Sequence, residues 1–73
     1  MIDHETTIEI VVNGAALQVV AGSTLEALIG QLKLSPQQVA IEVNRQLVPR
    51  GNHPGCRLNA GDTLEIVTLA GGG

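Results

Sequence analysis

Asn13-Gly14 stands between two runs of alternating apolar residues, and this dipeptide restricts the fold more than any other feature of the chain. Both central residues of a type I′ turn need positive φ, which Asn and Gly adopt most readily, so the pair predicts a two-residue hairpin. Before the turn, Ile8, Ile10 and Val12 alternate with Thr7 and Glu9; after it, Leu17 and Val19 flank Gln18. That is the period of strands buried on one face.

The period then changes. Ser23-Thr24-Leu25-Glu26 has the S-x-x-E pattern of a capping box, with Ser23 accepting from the Glu26 amide and the Glu26 carboxylate reaching back. Leu25, Leu28, Ile29 and Leu32 fall on one helical stripe, and Glu26, Gln31 and Lys33 lie off it. Gly30 inside this helix costs roughly 1 kcal/mol relative to Ala and is read as room for close packing. Ser35-Pro36 is expected to end the helix, because proline disfavours helical geometry in the residue before it.

Val39–Asn44 reads as a third strand with Val39, Ile41 and Val43 inward, followed by a turn at Arg45-Gln46 and a short strand Leu47-Val48 stopped by Pro49. Arg50–Asn59 carries little apolar character and reads as a surface loop, Ala60-Gly61-Asp62 as a turn, and Thr63–Leu69 as the last strand. Strands grouped around a single helix imply an α+β layer: one mixed sheet of four to five strands packed on one helix. The expected organisation is a single domain over residues 1–70 and a flexible Gly-Gly-Gly tail at 71–73.

Composition narrows the function. Seventy-three residues without Phe, Tyr or Trp build a small aliphatic core and leave little for a deep substrate pocket, so an enzyme is not expected. Four Lys/Arg against seven Asp/Glu argue against nucleic acid, and no aromatic platform is present for single-stranded bases. One cysteine makes no intrachain disulfide, and His4, His53 and Cys56 are too few and scattered for a metal cluster. The acidic start Met1-Ile2-Asp3-His4-Glu5 lacks the form of a signal peptide, and no apolar run approaches membrane-spanning length. The expectation is a cytoplasmic protein with no membrane partner.

The final Gly71-Gly72-Gly73 contributes no side chains to a core. Extended, three residues reach roughly 10 Å at about 3.3–3.6 Å each, without Cβ atoms, so they suit a channel too narrow for other backbone. By composition alone such a tail reads first as a frayed end or a cloning scar. The domain in front of it decides.

Asn13-Gly14 within its hairpin, Ser23-Thr24-Leu25, Val39-Ala40-Ile41-Glu42-Val43-Asn44, Val48-Pro49-Arg50, Leu58-x-x-Gly61-Asp62-x-Leu64-Glu65-Ile66-Val67 and the terminal glycines occur in one order. Together they resemble the ThiS family, the sulfur carrier proteins of thiamine biosynthesis, from Ile8 to Gly73. The resemblance implies a ubiquitin-like β-grasp fold, with the first and last long strands as parallel neighbours. It implies that an E1-like adenylating enzyme, using ATP and Mg²⁺ that the carrier itself does not bind, activates the Gly73 carboxylate. The carboxylate then becomes a thiocarboxylate that gives its sulfur to thiazole synthase, with Gly71 and Gly72 as the slim approach. Residues Met1–Thr6 extend beyond the family's usual start. The neighbouring readings are the small subunit of molybdopterin synthase, a ubiquitin-like protein modifier, and a β-grasp module with an inert tail.

Partner binding is expected on the open sheet face of the last strand, at Glu65, Val67 and Leu69, with Glu9 nearby. Cys56 reads as a loop thiol of no consequence, since only Arg50 and Arg57 stand near enough in sequence to lower its pKa. His53 reads as a loop or partner-contact residue rather than a general base. Arg45, Arg50 and Arg57 read equally as a partner-facing patch or as scattered solvated charges.

Overall fold

The computed structural model describes residues 6–69. Strand β1 (Thr7–Val12) turns at Asn13-Gly14 into β2 (Ala15–Val20), followed by helix α1 (Leu25–Gln31). A 3₁₀ turn (Pro36–Gln38) leads to β3 (Val39–Val43) and β4 (Gln46–Leu47), a second 3₁₀ turn (Arg50–Gly55) follows, and β5 (Thr63–Thr68) closes the sheet. The strand order is β2-β1-β5-β3-β4. β5 is central, parallel to β1 and antiparallel to β3. The tail at 71–73 and the domain boundary at residue 70 lie outside the described residues.

The hairpin forms as its residues require, with Asn13 at φ 50° and Gly14 at φ 84°. Alternation along β1 and β2 sends Ile10 and Val19 into the core beneath α1. There they meet Leu25, Leu28 and Ile29 of the helix, Val39 and Ile41 of β3, Leu64 of β5, and Leu58. Leu32, the fourth residue of the helical stripe, packs half-buried against this cluster.

Both ends of α1 differ from the expectation. Thr24, not Ser23, is the cap: its Oγ1 accepts from the Ala27 amide at 3.2 Å. Ser23 has its main chain engaged elsewhere, donating to the Val20 carbonyl and accepting from the Leu58 amide. The helix also stops before Ser35-Pro36. Lys33 takes φ 59°, its amide donates to the Gly30 carbonyl, and the Leu34 amide donates to the Ile29 carbonyl. This is the paired C-terminal closure usually built on glycine, here carried by lysine, with Leu34 turned toward the core.

Gly30 does not serve close packing, for a Cβ there meets nothing within 4 Å. Gly30→Ala should therefore stabilise the protein by about 0.5–1 kcal/mol, read as an increased melting temperature.

The second hairpin shifts by one residue. Its turn is Asn44-Arg45, with φ 53° and 70°, so β4 is Gln46–Leu47 rather than Leu47-Val48. Asn44 leaves the ladder because its side chain is claimed by Asp62 and Thr63. Nor is Arg50–Asn59 a plain surface loop. The 3₁₀ turn buries His53, and Leu58 joins the core, so one aliphatic residue in a polar segment anchors the whole connection.

Candidate functional site

β5 leads directly into the chain's last residues, and its position is held from both sides by asparagine side chains. Asn13 continues the β1–β5 ladder past the end of β1: its Oδ1 accepts from the Ile66 amide at 2.8 Å, and its Nδ2 donates to the Ile66 carbonyl at 3.1 Å. On the other flank, Asn44 Oδ1 accepts from the Thr63 amide at 3.0 Å, while its Nδ2 donates to Asp62 Oδ1 at 2.9 Å. The second oxygen of buried Asp62 accepts from the Asn59 amide at 2.8 Å, closing the turn before β5. Each turn asparagine thus shapes its own hairpin and binds the central strand, a double role that sequence reading missed for both. The available signal was an Asn in each of two tight turns beside the longest apolar strands.

Asn13→Ala should destabilise the protein by about 1.5 kcal/mol, through two lost hydrogen bonds and an unfavourable left-handed alanine. Asn13→Gly, which keeps the turn, should recover part of that in urea denaturation.

The expected docking residues fall together. Along β5, Leu64 and Ile66 point to the core side while Glu65 and Val67 are exposed on the open face, and Leu69 follows on the same alternation. Val67 is 57% exposed and Leu69 47%, high values for apolar side chains in so small a protein. Glu9 is exposed on β1 farther along this face. Glu42 on β3 pairs in register with Glu65, a like-charged contact that costs a few tenths of a kcal/mol to about 1 kcal/mol.

The other candidates separate from this face. His53 is only 4% exposed; its Nε2 lies 3.2 Å from the Val48 carbonyl, to which it can only donate, and its Nδ1 has no protein partner. The imidazole is a buried piece of the 3₁₀ turn, contrary to the expected loop or partner-contact role. Cys56 lies half-buried beside an open 470 Å³ cleft lined by Val48, Gly51, Asn52, Gly55 and Cys56. Its thiol pKa is raised, first by burial and then by the charge of Asp62, in keeping with a thiol that the nearby arginines do not activate. Alkylation of Cys56 by iodoacetamide near pH 8 should accordingly be slower in the native protein than in urea. Because the native thiol keeps its proton to higher pH than the unfolded one, its contribution to stability is full below the unfolded pKa. It is lost as pH rises through the native value.

One helix packed on a mixed five-stranded sheet, with first and last strands parallel at its centre, defines a ubiquitin-like β-grasp domain. The ThiS family model matches residues 6–73. The chain is 40% identical over 65 residues to a thiazole synthase of Paramagnetospirillum magneticum, which covers 89% of the chain and 20% of that relative. It is 39% identical over 61 residues to the thiazole synthase of Magnetococcus marinus, covering 84% of the chain and 19% of that relative. The chain therefore spans about one-fifth of the length of these thiazole synthases. Against the uncharacterized protein ycf40 of Porphyra purpurea it is 32% identical over 66 residues, covering 90% of the chain and 93% of that protein. The crystal structure of the thiamine biosynthesis protein ThiS from Geobacter metallireducens superposes with a TM-score of 0.78 at 25% identity, over 90% of this chain and all of that one. The chain belongs to the ThiS family.

Proposed function

We propose that this protein is a sulfur carrier for thiazole formation and that its reactive group is the main-chain carboxylate of Gly73. A carboxylate is a poor electrophile. An E1-like adenylating enzyme, using ATP and Mg²⁺, joins it to AMP and releases pyrophosphate; a sulfur nucleophile then displaces AMP and leaves a thiocarboxylate. Thiazole synthase takes the sulfur from that group. Catalytic side chains, nucleotide and metal belong to the partners, and the carrier supplies the acid, the slim Gly71-Gly72 approach and a recognition surface on β5 at Glu65, Val67 and Leu69.

The observation that carries this reading is the family match, which runs to the last glycine rather than stopping at the domain. The thiazole synthases that match the chain over most of its length add support, since the same sequence pattern recurs within those proteins. The test is a mass spectrum of the protein from its native host. The expected C-terminal peptide carries a gain equal to the exchange of one oxygen for sulfur. A deletion strain should need thiamine and be rescued by the thiazole precursor; a strain needing molybdopterin instead would reassign the carrier to that branch.

A further inference from the structure

Charge is segregated on this molecule in a way the fold does not require. Every charged residue on a strand is a carboxylate: Glu9 on β1, Glu42 on β3 and Glu65 on β5. All four cations lie off the strands, Lys33 behind α1, Arg45 in the β3–β4 turn, Arg50 in the second 3₁₀ turn and Arg57 after it. Glu42 and Glu65 face each other in register, so their Cβ atoms are about 5 Å apart, and both are exposed. Leu47 pairs with Glu42 on its other side, and Val67 with Ala40 in the next row. Leu47 is 64% exposed and Val67 57%, so an exposed apolar side chain borders the two adjoining carboxylates on each of two sides.

Two like charges in register weaken the free fold, so folding gives no reason for the pair. We propose that Glu42 and Glu65 form a notch that accepts one arginine or lysine from the protein that docks on β5. Leu47 and Val67 receive the aliphatic stem. The inference rests on the docking role given to β5 above and names what the partner must present there. A guanidinium is the best match, because its planar fork can bond two carboxylates at once and its weakly hydrated face tolerates the apolar borders. A second copy of this chain is a poor occupant, since a two-fold contact across this face opposes carboxylate to carboxylate.

The experiment measures binding of the same organism's adenylating enzyme and thiazole synthase to the full chain, at about 50 and about 500 mM NaCl. The double variant Glu42→Gln/Glu65→Gln should bind at least one of them on the order of tenfold more weakly at low salt and equal the native protein at high salt. It should melt at or above the native temperature, showing that the loss is not structural. Val67→Ser should weaken binding at both salt concentrations. If the double variant binds like the native chain while Val67→Ser is weakened, the notch is overturned and the docking strand stands. If neither is weakened, both fall. A native homodimer that the double variant tightens would also overturn the proposal, by giving the face to a second copy.

Discussion

A chain ending at Gly72 should fold like the native protein and deliver no measurable sulfur. The described core is built from residues between Ile10 and Leu64, and glycine has no side chain to add to it, so melting should not change. The shortened chain still ends in a carboxylate. That carboxylate falls about 3.5 Å short of its place in the adenylating site, where an error of even about 1 Å can cost about 100-fold. Loss of thiocarboxylate in the mass spectrum, with unchanged denaturation, is the expected pair of results. Gly73→Ala, which keeps the length and adds one methyl, should retain more activity than the deletion. Normal sulfur transfer by the shortened chain would end the idea that the terminal acid is the reactive group.

Leu64→Ala should produce the largest loss of stability of any aliphatic truncation on β5. Leu64 is fully buried on the central strand, in register with Val12 of β1 and Val43 of β3, so its removal opens a cavity between both neighbours. Such a cavity costs about 3–4 kcal/mol. A chain of this length has a total stability of about 4–11 kcal/mol, so the variant should be partly unfolded at 37 °C. Val67→Ala, on the same strand but outward, should cost well under 1 kcal/mol. The contrast, read in urea denaturation, separates the face that holds the protein together from the face offered to partners.

The two β5 residues differ by an alternation that is plain in the sequence, and the first hairpin was equally plain because Asn-Gly satisfies its own turn. The helix was visible from its stripe, but both of its ends were misplaced for one reason: local signals competed with longer-range bonds. Ser23 and Thr24 are both good caps by type, and Ser23 lost because its main chain bonds Val20 and Leu58. Lys33 stops α1 in a left-handed conformation that a lysine does not advertise. The same competition moved the second hairpin by one residue, since Asn44 is drawn to Asp62 and Thr63, 18 and 19 residues away.

The candidate face divides in the same way. Glu65, Val67 and Leu69 could be placed outward from alternation alone. That Glu42 stands opposite Glu65, and Leu47 beyond it, depends on the register of three strands separated in sequence.

The sequence by itself determined the strands and the one α-helix as such, the inward and outward sides of the long strands, and the family, because these depend on neighbours a few residues apart and on ordered motifs. Only the tertiary structure decided which asparagines clamp β5, that His53 is buried, and which side chains share the open face. Those outcomes turn on contacts between distant segments, where one hydrogen bond or one step of register outweighs any local preference.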